Sequence, residues 1–301
     1  MLLQLRAQSG GATAGHDPLQ PGDDVAAAVA AAPSATTVRL GPGTFVLPQT
    51  LALIRGVTVV GSGRDRTRLV SSAADGTVLV LTSEPTELSN LTLSHTGGTP
   101  GSVVDVAPVS QLTVRQARVS GGRLGPGGRD GAGIVLAAGV GGQTGVSRRT
   151  TLVLLDTELL DNAAAGLVAS GEHRVDVRRT LVARSGRCGI CFLDRSDGVV
   201  RDSSLVDDAV GLLVTGAARP TLLRSQVRGG RVGVQASETA RPWIKDNVLS
   251  GTDRSAMIWA GTARGRIEGN RCDHAPFGIV VGPKVLPYVG HNDCQVARGR
   301  E

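Results

Sequence analysis

The 301-residue sequence predicts an all-β solenoid, a rod of short strands wound into stacked coils. Three observations carry that prediction. A column of small residues, Gly166, Gly189, Gly211, Gly233, Ala256 and Gly278, recurs at spacings of 23, 22, 22, 23 and 22 residues. A second column, Thr157, Thr180, Ser203, Ser225, Asn247, Asn270 and Asn292, keeps the same period. Each small residue opens a short apolar run, as in Gly189-Ile190-Cys191-Phe192 or Gly278-Ile279-Val280-Val281. Composition agrees: 42 glycines and 2% aromatic residues suit a narrow core of Val, Leu, Ile and Ala. Such a core grows lengthwise, so the chain length does not demand two globular domains.

Taken in order, residues 1–22 read as a flexible lead or an irregular cap. Over 23–33, Asp23-Asp24 stand at the N-terminus of an Ala-rich stretch closed by Pro33, which predicts a short helix. That helix is expected to cover the open end of the stack, where core and unpaired strand edges would otherwise be exposed. Thr37–Leu40, Gly43–Phe45, Leu51–Leu53 and Val57–Val60 alternate like strands between glycine turns. Less regular coils follow over 71–120. Gly-rich, charged insertions at 121–131 and 139–149 then interrupt the rhythm; they are either walls of a binding face or tolerated loops. Regular coils run on to about residue 296, so 23–296 is read as one domain and 297–301 as a tail.

The turn Val38-Arg39-Leu40-Gly41-Pro42-Gly43-Thr44-Phe45 and the strand Gly56-Val57-Thr58-Val59-Val60-Gly61 behind a capping helix resemble the start of right-handed parallel β-helix proteins. This is the pectin-lyase-like superfamily, with its NosD-like and carbohydrate-binding β-helix repeat members. The units Arg241-Pro242-Trp243-Ile244-Lys245-Asp246-Asn247 and Gly265-Arg266-Ile267-Glu268-Gly269-Asn270 resemble its repeat. The resemblance spans about residues 23–296 and implies a single right-handed β-helix of roughly ten or eleven coils, a rod roughly 50 Å long. It leaves function open, because the superfamily holds lyases, hydrolases, esterases, epimerases and non-catalytic modules. No inherited catalytic set is found. The galacturonase motifs are represented only by Asp207-Asp208. Trp243-Ile244-Lys245-Asp246 is not the pectate-lyase W-I-D-H, Asp273-His274-Ala275-Pro276 is not the epimerase D-P-H-D, and the esterase aspartates are missing.

Alternation places Leu167, Ile190, Leu212, Val234, Met257 and Ile279 inside the coil, joined by Ala169, Phe192, Val214, Ala236, Trp259 and Val281. Between them Val168, Cys191, Leu213, Ile258 and Val280 should face outward. An apolar outer column is expected to be covered by a protein partner or a second copy. The Thr/Ser/Asn column is read as a turn ladder that bonds along the stack. Arg219, Arg241 and Arg264 recur at 22 and 23 residues and form a basic ridge, a candidate site for an anionic ligand such as acidic polysaccharide. Asp161, Arg184, Asp207 and His274 fall in one further column, with Asp208 beside Asp207; these are the candidate catalytic residues.

The formal charge of +6 fits anionic partners without naming one. Nucleic acid is disfavoured because aromatics do not interleave with the arginines in sequence. No run could span a membrane as a helix, and no secretory leader is apparent, so a cytoplasmic location is expected and export stays open. Cys188 and Cys191 make a C-x-x-C within a strand, where neither redox chemistry nor zinc binding is expected. Cys272 and Cys294 fall in one column within disulfide range and are expected as reduced, stacked thiols. No metal or cofactor is expected, Ca²⁺ entering only under a lyase reading. Two functional readings result: a non-catalytic scaffold with an apolar and a basic face, or a uronate-directed polysaccharide enzyme using the outer carboxylates.

Overall fold

Val, Leu and Ile at every second position of short runs, many of them ended by a left-handed residue, turn the chain before a strand can lengthen. The computed structural model describes residues 17–73, 76–108, 110–128, 130–136, 149–283 and 285–299. Among them the strands stack into three parallel sheets of 11, 10 and 11 strands, each coil but the last contributing one strand to each sheet. The first sheet runs from Thr36–Arg39 to Tyr288–Val289, the second from Gly43–Leu47 to Arg271–Asp273, and the third from Leu51–Leu53 to Val296–Arg298. The one α-helix among the described residues, Val25–Ala31, is capped by Asp24, whose carboxylate accepts the Ala27 N–H at 2.9 Å. It buries Val25 and Val29 in the core cluster at the N-terminal end. The chain is a parallel β-helix.

Both interior columns read from the sequence lie in the core: Leu167, Ile190, Leu212, Val234, Met257 and Ile279 are fully buried, as are Phe192 and Trp259. At its glycines the small column is a steric requirement, whereas at Ala256 a buried Cβ is accommodated. A Cβ on Gly211 would stand 2.6 Å from Val227 Cγ1 and 2.7 Å from the Gly233 carbonyl oxygen, closer than packed atoms tolerate.

The Thr/Ser/Asn column bonds coil to coil at the corner between the first and second sheets. The Ser203 hydroxyl accepts the Thr180 N–H, and Ser225 serves Ser203 in the same way, each at 3.2 Å. Asn247 accepts the Ser225 N–H at 2.8 Å, Asn270 accepts the Asn247 N–H at 3.0 Å, and Asn292 accepts the Asn270 N–H at 2.9 Å. The residue before most rungs is left-handed; Asp156, Arg179, Asp202, Arg224 and Asp246 have φ between 43° and 53°.

Three expectations are corrected. Val296–Arg298, assigned in part to a tail, form a strand that pairs with Ile279–Val281. Cys272 and Cys294 are joined in a disulfide with a Cα–Cα distance of 4.9 Å, as are Cys188 and Cys191 at 6.0 Å. The argument for reduced thiols assumed two parallel strands in register, but Cys294 lies in the irregular last coil, outside any strand. Cys191 keeps its outward register between Val168 and Leu213 but is buried there, at 6% exposure. Of the insertion read at 139–149, only Arg149 is among the described residues.

Candidate functional site

The column Asp161, Arg184, Asp207, Gly229, Gly251 and His274 forms the corner between the second and third sheets. Every member is left-handed, with φ between 52° and 71°. Asp, Gly and other turn residues are what such a corner requires, so the column has a conformational cause. Arg184 grips Asp161 with both arms of its guanidinium, Nε to Oδ1 at 2.6 Å and a terminal nitrogen to Oδ2 at 2.8 Å. That fork holds the Asp161 carboxyl below its ordinary range. The same device recurs at the neighbouring corner, where Arg179 binds Asp156 and Arg224 binds Asp202. These ion pairs fasten successive coils.

Asp207 and Asp208 do not act as a pair. Asp207 is exposed on the corner, whereas Asp208 is turned inward and 2% exposed. Asp208 belongs to an interior polar column with Asn162, Ser185 and Thr252, all buried. Its Oδ1 accepts the Ser185 N–H at 2.8 Å, while Oδ2 has no hydrogen-bond partner among the described residues. Burial pushes this carboxyl up to about 6, against the opposing pull of the Ser185 N–H. His274 lies three coils beyond Asp207, roughly 14 Å at about 4.8 Å per coil. The structure therefore stacks Asp161, Arg184 and Asp207 on successive coils, with Arg184 engaged by Asp161, while Asp208 is turned inward and His274 stands apart.

The outward column behaves differently from its expectation as well. Val168, Leu213, Ile258 and Val280 are half-buried on the outer face of the third sheet. Val168, Cys191 and Leu213 pack with Ala132, Ala165, Cys188, Val135, Leu193 and Val210 into a satellite cluster. Neighbouring side chains thus supply much of the cover that was ascribed to a partner.

The basic ridge is formed. Asp197 and Arg219 are register partners on the first sheet, and Arg241 and Arg264 follow through backbone bonds to Ala218 and Ala240. Arg219, Arg241 and Arg264 are exposed, and none has an acidic partner among the described residues. Asp197 pairs instead with Arg149 at 3.2 Å. Glu238 accepts the Gly216 N–H, and Asp194 accepts the Ser170 hydroxyl. At its N-terminal end the ridge opens into a groove of about 220 Å³ lined by Arg149, Glu172, Arg195, Asp197, Ala217 and Arg219. Arg195 pairs there with Glu172. A second hollow, of about 500 Å³, is lined by His95, Gly121, Arg123, Leu124, Asp161 and Ala163.

Sequence reading missed a second column two residues along the same strands. Trp243 is in register with Arg266, and Arg266 with Tyr288. The Arg266 guanidinium carbon lies 5.4 Å from both ring centroids. The signal was present as the same period: 243, 266 and 288 are 23 and 22 apart. Aromatics do interleave with arginine, across coils rather than along the chain. Among the described residues, no group of three or more His, Cys, Asp or Glu side chains converges as metal ligands would.

The family model for the right-handed beta helix region matches residues 165–296. No curated protein sequence is significantly similar to the chain. Among solved structures, the fold is similar to the catalytic domain of a GH87 alpha-1,3-glucanase in complex with nigerose. That match has a TM-score of 0.64 and 9% identity, and covers 99% of this chain and 70% of the other. A variant of such a catalytic domain in complex with tetrasaccharides matches with a TM-score of 0.59 and 12% identity, over 86% of this chain and 54% of that one. The enzymatically active domain of the Bacteriophage CBA120 tailspike protein 2 matches with a TM-score of 0.50 and 11% identity, over 87% and 43%. The chain thus spans about half the length of two of these structures. At such identities the likeness is one of fold, a right-handed parallel β-helix.

Proposed function

We propose that this chain is a carbohydrate-active β-helix that takes an acidic polysaccharide lengthwise over the outer face of its first sheet. One observation carries the reading: Arg219, Arg241 and Arg264 stack without acidic partners among the described residues and lead into the charged groove. Like charges about 4.8 Å apart repel, by roughly 1 kcal/mol per neighbouring pair in water, and an uncompensated ladder gives the fold nothing in return. A polymer carrying repeated carboxylates relieves that repulsion, and each guanidinium fork matches one carboxylate. Support for the carbohydrate class comes from the fold neighbours described as a glucanase bound to oligosaccharides and an active tailspike domain.

We assign turnover to the groove rather than to the corner residues, because Asp161 is held by Arg184 and Asp208 is buried. Glu172 and Asp197 are the carboxylates adjoining the ridge, positioned to exchange protons with a sugar whose own charge Arg219 offsets. A second reading, binding without turnover, is favoured by the arginines that already engage both carboxylates. The two disulfides support an oxidising, exported setting over the cytoplasm.

The test is a panel of acidic and neutral polysaccharides assayed for binding, for new reducing ends and for unsaturated uronate. Arg241→Ala should weaken binding and flatten its salt dependence, while Glu172→Gln and Asp197→Asn should stop turnover and keep binding. Binding without products in the wild type selects the second reading. A preference for neutral glycans overturns both.

A further inference from the structure

We infer that the Trp243–Arg266–Tyr288 stack is the docking subsite for one carboxylate-bearing sugar of that polysaccharide. The inference rests on the proposed function and goes beyond it by naming the position that recognises a single unit. The chain has two Trp and one Tyr. Trp259 is fully buried, while Trp243 and Tyr288 are 36% and 57% exposed in the same outward column. A sequence so poor in aromatics thus places its exposed Trp and its sole Tyr on either side of one arginine.

The local contacts show what that arrangement presents. The guanidinium of Arg266 lies 5.4 Å from each ring centroid, and the Lys245 ammonium lies 5.4 Å from the Trp243 ring. Glu268 Oε1 accepts the indole N–H at 2.6 Å and stands 3.6 Å from an Arg266 terminal nitrogen. The indole is thereby fixed, and the guanidinium is held against apolar surface instead of moving freely in water. A fork held in this way loses less freedom when it meets a planar acceptor. Glu268 offsets only part of the charge, because Arg241 and Arg264, both exposed, stand two residues before Trp243 and Arg266. The spacing along the strand is about 7 Å, within the reach of one sugar ring and its carboxylate.

This chemistry selects among ligands. Arg266 lies against both rings, which leaves less open ring face for the base stacking that single-stranded nucleic acid requires. Lys245 stands over the Trp243 ring as well, so what the C–H groups of a pyranose can meet is the exposed part of Trp243 and Tyr288, 36% and 57% of each residue. Carboxylate forked on Arg266 with C–H contact on Trp243 and Tyr288 is recognition of a uronate.

The probes are tetrasaccharides of galacturonate, mannuronate and glucuronate, with neutral galactose and mannose tetrasaccharides as controls, titrated against the full chain. Tryptophan emission reports the site, since Trp243 is exposed and Trp259 is not; Trp243→Phe identifies its share. One acidic tetrasaccharide should shift the Trp243 emission and no neutral one should. Arg266→Ala should weaken that binding by about tenfold or more, and Arg266→Lys, which keeps the charge but not the fork, should not restore it. Calorimetry separates the two ideas. Acidic-glycan binding that falls in Arg241→Ala but is unchanged in Arg266→Ala, with Trp243 silent, overturns this subsite and leaves the functional reading standing. An equal response to a neutral tetrasaccharide also overturns the subsite. If none of the acidic probes binds, both fall.

Discussion

Replacing Asp208 by Asn should make the protein more stable at neutral pH, although it removes a carboxylate from the one adjacent acid pair in the repeat. The side chain is 2% exposed, and burial raises its pKa from 3.8 to about 6. The folded state therefore binds this proton more tightly than the unfolded state. Below about pH 4 both states are protonated and the group contributes no penalty. Between about 4 and 6 the unfolded chain ionises first, so stability falls as pH rises, and above about 6 the full penalty remains. A shift of about two units corresponds to about 3 kcal/mol at 1.36 kcal/mol per unit. An amide carries no such penalty. Asn162, in the same interior column and three residues after Leu159, already shows how one fits: Oδ1 accepts the Gly122 N–H and Nδ2 donates to the Val119 carbonyl. Asp208 stands three residues after Leu205, so Asp208→Asn faces the corresponding carbonyl of Val182. The assay is denaturant unfolding of wild type and variant at intervals from pH 4 to 8. The difference curve should rise by about 2–3 kcal/mol in favour of the variant across pH 4–6 and then level. The carboxyls held low by arginine, such as Asp156 and Asp161, lose their stabilising effect as pH falls through values below that window. They are common to both proteins and cancel. Parallel pH curves for the two proteins would refute the reasoning, and so would a variant that is less stable at pH 7.5.

Asn247→Ala removes the acceptor of the buried Ser225 N–H and the donor to the Leu222 carbonyl, and should destabilise by about 2–4 kcal/mol in urea unfolding. Asp161→Ala should change stability by less than about 1 kcal/mol, and should leave any glycan turnover within twofold, because its ion pair is exposed. Thiol titration of the unfolded, unreduced protein should find no reactive sulfhydryl. Cys272→Ser should lower stability by about 3 kcal/mol, the value expected for a closed loop of this length, with a sequence separation of 22.

The period disclosed the fold because each coil meets the same steric demands. Glycine is needed where a Cβ would strike the neighbouring strand, and Ser, Thr or Asn where a backbone N–H needs an acceptor; both demands leave single-residue traces at 22–23 positions. The site left fainter traces. Asp161, Arg184 and Asp207 looked chemical because charged residues shared a column, yet a positive φ favours Asp and Gly there for backbone reasons alone. Sequence neighbours also misled at Asp207-Asp208, since consecutive residues on either side of a corner point to opposite sides of the wall, one into solvent and one into the core. The ridge of Arg219, Arg241 and Arg264 was legible because its residue type is constant. The neighbouring column of Trp243, Arg266 and Tyr288 was not, because its residue type changes at every rung and its coherence exists only across coils. In a solenoid, columns of identical residues report what the coil needs to close. Columns of unlike residues that still touch, with their charges left open to solvent, are where a ligand should be sought.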